Sequence, residues 1–164
     1  CGAAAALEAE YTLPGISQSV VITRMAGRTP VPEKESVRSF AAHQATMVLF
    51  LSTGLLKELS AELIEGGYIE DTPAAIVYKA TWPEQKVLRC TVGTLEQTAR
   101  EADVTKTALI VVGEVLDGTY ERSKLYDPTF TTEFRQASCS KKELGQTGEN
   151  QSTEMRREAE GQSK

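Results

Sequence analysis

Two arginines set the first chemical question. Arg24 and Arg28 lie in the stretch TRMAGRTPVPEKES (23–36), together with Gly27, Pro30 and Pro32. A guanidinium is a planar fork that meets a carboxylate at two points. Prolines stiffen a segment and lower the ordering cost of binding. The run from Met25 to Glu35 is also longer than the roughly 2–6 residues that usually join a strand to a helix. The segment therefore reads as a candidate anion cradle. The competing reading pairs Arg24 and Arg28 with Glu33 or Glu35, as surface arginines commonly do.

Other reactive side chains are sparse. Ser52-Thr53-Gly54 follows an apolar run and reads equally as a ligand-facing turn or a helix cap. His43 sits beside Ala41, Ala42 and Ala45 in a helical stretch and reads as structural. Cys90 falls within a strand pattern as a small core residue, and Trp82 precedes Pro83 in a short connection, where it covers neighbouring strand ends or caps the core. No spacing suggests a nucleophile with its base, so no catalytic residue is assigned. One histidine and three cysteines, Cys1, Cys90 and Cys139, without paired spacing give no metal cluster. No glycine-rich loop follows a strand, which excludes a Walker loop or a dinucleotide fingerprint.

The elements that must position these residues come from the apolar runs. SVVITR (19–24), MVLFLS (47–52), AAIVYKA (74–80), KVLRCTV (86–92) and TALIVVGEV (107–115) are short and rich in β-branched residues, as strands are. Helical patterns lie between them. SVRSFAAHQ (36–44) opens on a serine cap, LLKELSAELIEGG (55–67) ends on a Gly-Gly stop, and TLEQTAREAD (94–103) opens on Thr94 as a cap. The second and fifth strands are nearly continuous in apolar residues, as when helices cover both faces of a sheet. The fourth alternates like an edge, and TWPEQ makes a hairpin of strands three and four. The expected fold is α/β, with a mixed five-stranded sheet flanked by helices.

Composition narrows the partners. A net charge of −5 and a pI near 5.1 argue against a nucleic-acid surface. No apolar run approaches the ~18 residues of a membrane helix. The cysteine pattern suits a reducing, cytoplasmic compartment. The chain opens at Cys1 directly into the helix former AAAALEAE without an N-cap. We read this as an internal start within a longer protein, with an acylated lipoprotein cysteine as the alternative. Residues 136–164 hold few apolar side chains and much Gly, Ser, Gln and Glu, which predicts a disordered tail.

In combination the segments resemble a family. ITRMAGRTPVPEKESVRSFAAHQATMVLFLS, AAIVYKATWPEQKVLRCTVGTL, TALIVVGEVL and SKLYDPTFTTEFR follow the order of the C-terminal half of the tetrapyrrole methylases. RTPVPE and KLYDPTF point to the subgroup that methylates carbon 11 of precorrin-4 or cobalt-precorrin-4 in cobalamin biosynthesis. The resemblance covers residues 1–135 and implies a C-terminal domain whose N-terminal partner domain is absent from this chain. It implies S-adenosyl-L-methionine as cofactor, a tetrapyrrole substrate and a homodimer. Carried over residue by residue, it puts the cofactor at Leu51 after the second strand, Ala80 and Thr81 after the third, and Thr107 and Ala108 at the start of the fifth. It also makes Arg24 and Arg28 substrate contacts. For these positions to meet one adenine, the fifth strand has to run antiparallel to the second and third. A catalytically silent α/β interaction domain is the other reading of a chain that lacks half of such a cleft.

Deleting residues 137–164 is expected to leave the melting temperature nearly unchanged, because they offer the core almost no apolar surface. Thermal unfolding of the two lengths checks this, and a loss of several degrees would show that the tail docks.

Overall fold

The computed structural model describes residues 1–118; the expectations for KLYDPTF and for the tail from residue 136 lie outside the described residues. In chain order the elements are α1 (Gly2–Leu7), β1 (Val20–Thr23), α2 (Val37–Ala41), β2 (Thr46–Leu49), α3 (Leu56–Gly66), β3 (Pro73–Tyr78), β4 (Lys86–Thr91), α4 (Leu95–Glu101) and β5 (Ala108–Val112). All five expected strands are present, each shorter than its apolar run. Among the described residues no helix is long and apolar enough to cross a membrane.

The strands form one mixed sheet in the order β1-β2-β5-β3-β4. β1 and β2 are parallel, with Val20 opposite Thr46. β5 runs antiparallel to both neighbours, with Leu49 opposite Ile110 and Tyr78 opposite Ala108. β3 and β4 form the expected antiparallel hairpin. The antiparallel course of β5 meets the condition that the cofactor positions impose: the ends of β2 and β3 and the start of β5 lie at the same end of the sheet.

Side chains alternate between two cores, as the pleat requires. Met47, Leu49, Ile76, Ile110 and Val112 face α2, α3 and α4, whose Ala41, Leu59, Leu63 and Leu95 pack against them. Val48, Ala75, Val77 and Val111 face the other way, toward Ala3 and Leu7 of α1 and Leu13. β4 is the half-exposed edge that its alternation predicts. Cys90 on β4 packs against the first core, and burial pushes its thiol up to about 11.

Helix ends follow their sequence signals, with two exceptions. Ser36 caps α2, its hydroxyl accepting from the Ser39 N–H at 3.1 Å. Gly67 closes α3 at φ 127°, a conformation that other residues avoid. Thr94, expected to cap α4, instead faces backwards: its hydroxyl accepts from the Thr91 N–H at 3.0 Å and stabilises the 3₁₀ turn Val92–Thr94. His43, expected within a helix as a structural residue, is exposed in the turn after α2, because the helix stops at Ala41.

α2 and α3 meet at Gly66, and the contact is tight. A Cβ on Gly66 would lie 2.4 Å from Ala41 Cβ and 2.6 Å from the Arg38 carbonyl oxygen. The exposed Arg38–Glu65 pair at 3.1 Å decorates the same seam, but such surface pairs add little. Gly66→Ala should gain about 1 kcal/mol of helix propensity and lose more than that to overpacking, which typically costs about 1–3 kcal/mol and more against backbone. The expected net is a loss of stability on urea unfolding; a more stable Gly66→Ala variant would mean that the two helices part easily.

Candidate functional site

Where β2 and β3 end and β5 begins, the chain turns sharply. Leu51, Lys79, Thr81 and Thr107 all have left-handed backbones, at φ 53°, 46°, 73° and 60°. Such values are uncommon for residues other than glycine, and a β-branched residue there is an outlier. Four of them at one end of a sheet mark a surface shaped against local preference. The turns are held from within. The Lys79 N–H donates to the Thr107 carbonyl at 2.9 Å, and the Thr53 hydroxyl donates to the Ala108 carbonyl at 3.4 Å.

These turns enclose a cavity of about 270 Å³. Its walls include Leu51, Ala80, Thr107 and Ala108, four of the five positions expected to hold a cofactor. Thr81 is not among the lining residues. Its N–H donates to Gln85 Oε1 at 2.8 Å within the hairpin turn, and its methyl is directed at Gly2, where a Cβ would come within 2.9 Å. Phe50, Thr53, Val77, Lys79, Trp82 and Leu109 complete the wall. Of these Trp82, as an aromatic residue in a turn, and Thr53, in a possible ligand-facing turn, carried a signal in the sequence; Lys79 carried none.

The lining suits a flat, weakly polar group. Ala80, Val77 and Leu51 give apolar walls, while the backbone N–H and C=O groups of Leu51 and Ala80 make no hydrogen bond among the described residues. Apolar walls with a few convergent polar groups are the usual make-up of a small-molecule site. The volume lies just under the ~300 Å³ at which such sites begin, so the cavity can take a ring system rather than a whole cofactor. Among the described residues no cluster of three or more histidine, cysteine or acidic side chains could hold a metal ion.

The arginine segment reaches the same end of the sheet. Ser52 is fully buried; its hydroxyl accepts from the Met25 N–H at 3.0 Å and donates to the Phe50 carbonyl at 2.8 Å. Ser52 is thus a structural joint that fixes the start of the loop next to Leu51, while its neighbour Thr53 lines the cavity. Arg24 and Arg28 then take different roles. Arg24 turns its guanidinium onto its own loop, donating to the carbonyls of Met25 and Thr29 at 3.2 Å each and of Pro30 at 3.3 Å. Neither arginine pairs with Glu33 or Glu35, which lie in a 3₁₀ turn of their own. Arg28 stands exposed on the span that Arg24 closes.

Known proteins resemble this chain in sequence and fold. The tetrapyrrole (corrin/porphyrin) methylase family matches residues 1–96. The cobalt-precorrin-4 C(11)-methyltransferases of Methanocaldococcus jannaschii and Priestia megaterium are 48% and 49% identical over 136 and 137 residues, covering 82% and 81% of this chain. The chain spans about half of those relatives, 52% and 53% of their lengths. The X-ray structure of a cobalt precorrin-4 methyltransferase of cobalamin biosynthesis superposes with a TM-score of 0.69 at 48% identity, covering 71% of this chain and 48% of that one.

The left-handed turns make one direct prediction. Thr107 is exposed and β-branched at φ 60°, a conformation that costs about 1–2 kcal/mol and that asparagine tolerates better. Thr107→Asn should therefore raise the urea midpoint by the equivalent of roughly 1 kcal/mol with an unchanged slope. An unchanged midpoint would mean that the turn carries no strain.

Proposed function

This chain belongs to the tetrapyrrole methylase family, and from that premise we propose that it is the C-terminal domain of an S-adenosyl-L-methionine-dependent methyltransferase. Its substrate is precorrin-4 or cobalt-precorrin-4, methylated at carbon 11 in cobalamin biosynthesis. The domain comprises residues 1–135, and an N-terminal domain supplies the other wall of the cofactor cleft. The enzyme works in the cytoplasm as a homodimer. The observation that carries the reading is the meeting of Leu51, Ala80, Thr107 and Ala108 around one cavity, at the sheet end that the family resemblance requires. Identities near one half to the two cobalt-precorrin-4 enzymes support the choice of substrate.

The cavity fits the adenine end of that cofactor. Leu51 and Ala80 would meet the ring edge with backbone N–H and C=O groups, and Val77 and Ala108 would exclude water from its faces. The bound cofactor supplies an electrophilic methyl group on a sulfonium. The substrate carbon is itself nucleophilic, so the protein's task is to align donor and acceptor and to keep water out. Thr81 takes no part in the cavity and serves to hold the hairpin turn.

The macrocycle carries several carboxylates, and Arg28 is the residue placed to meet one of them. Arg24 shapes the loop that presents it. With the loop closed before the substrate arrives, little ordering cost falls on binding.

Two outcomes follow. The purified 164-residue chain should not methylate a precorrin-4 substrate, since half of the cleft is missing; turnover would refute the division of labour. In the intact enzyme, Arg28→Ala should weaken tetrapyrrole binding by roughly 1.5–3 kcal/mol, the scale of a charged hydrogen bond. Arg28→Lys should recover only part, because an ammonium has no planar fork. Affinity for S-adenosylhomocysteine should hardly move. Parallel titrations with both ligands check this, and unchanged tetrapyrrole affinity in a folded Arg28→Ala variant would reduce the segment to a connector.

A further inference from the structure

An aromatic side chain stands in the cavity wall without an assigned role. Trp82, the only tryptophan of the chain, is 54% exposed. Its backbone is held in the turn by two main-chain hydrogen bonds. The Trp82 N–H donates to the Lys79 carbonyl at 2.9 Å, and the Trp82 carbonyl accepts from the Gln85 N–H at 3.0 Å. The Lys79 ammonium lies 5.2 Å from the indole and 5.4 Å from the Tyr78 ring, both within the ~6 Å reach of a cation–π contact. Glu84 holds the same ammonium at 3.8 Å. Lys79 itself is anchored through its left-handed backbone to Thr107 on the opposite wall.

A turn that needed only a hydrophobic cap would bury its indole. Here the ring is fixed by a cation and left uncovered, beside Leu51 at 82% exposure. An uncovered, preorganised aromatic surface at the rim of an apolar cavity favours a planar π-system as its partner, through offset stacking. We propose that Trp82 is the stacking wall of the purine site: the indole, held by Lys79, lies against the face of the base bound in the cavity. Trp82 is then a positioning residue that selects an aromatic base, and Lys79 acts through it. The inference rests on the reading of this cavity as the adenine site.

The test uses the whole chain, labelled with nitrogen-15, and titrates adenosine and S-adenosylhomocysteine into the millimolar range. The single indole N–H resonance reports on Trp82, and the backbone amides of Ala80 and Ala108 report on the inner wall. The expected result is that all three shift along one binding curve. Trp82→Ala should weaken adenosine binding about ten-fold, within the range of base–aromatic stacking, while Trp82→Phe retains most of the affinity. Lys79→Met should weaken binding less than Trp82→Ala does, while its indole resonance still shifts. If Ala80 and Ala108 shift while the indole does not, or if a folded Trp82→Ala binds adenosine as the parent does, the stacking role is overturned and the cofactor reading stands. If no resonance moves with either ligand, the adenine site itself is wrong and Trp82 falls with it. Should Trp82→Ala fail to fold, the parent indole shift and Lys79→Met still decide.

Discussion

A strand buried on both faces and paired on both edges can spare no polar side chain and no register error, and β5 is such a strand. Ile110, Val111 and Val112 are all fully buried, alternating between the two cores. Slipping by one residue would exchange the two faces at once. Because β5 runs against both β2 and β3, its first residues must emerge where those strands finish. The cavity is a by-product of that constraint. Two chain segments leave the sheet and a third enters it side by side, and each has to turn quickly.

The turning is where the sequence stops being readable. Apolar runs announced every strand, and Ser36 and Gly67 announced the ends of their helices, because burial period and capping chemistry are local properties. Nothing local says that Leu51, Lys79 or Thr107 takes a left-handed backbone; asparagine or glycine would have said so. These residues are held there by the register of β5, a constraint between distant parts of the chain. The same holds for Thr94, which bonded backwards to Thr91, and for Thr81, adjacent to the cavity in sequence yet directed toward α1. The five expected cofactor positions came from a family likeness, four of them line the cavity, and the residues by themselves read only as core at strand ends.

Arg24 and Arg28 show how one residue type divides its labour. Both looked suited to an external carboxylate, since type and spacing are all that a sequence displays. Only the fold reveals that Arg24 spends its guanidinium on three carbonyls of its own loop. Such an arrangement satisfies backbone acceptors that an irregular segment would otherwise leave to water. Ser52 completes it from the other side by fixing Met25. The loop is therefore part of the scaffold at its base and open to a ligand only at its crown.

The place of β5 in the chain also sets an order of events in time. It is the last of the described strands to be made and the middle one of the sheet. Until it emerges from the ribosome, β1 with β2 and β3 with β4 are two separate ribbons, and a lone two-stranded ribbon is marginal in water. The sheet becomes continuous only when β5 pairs Val112 with Met47 on one side and with Ala74 on the other. Contacts of such long sequence separation slow folding. During synthesis the inner edges of β2 and β3 therefore have no strand partner until β5 is made.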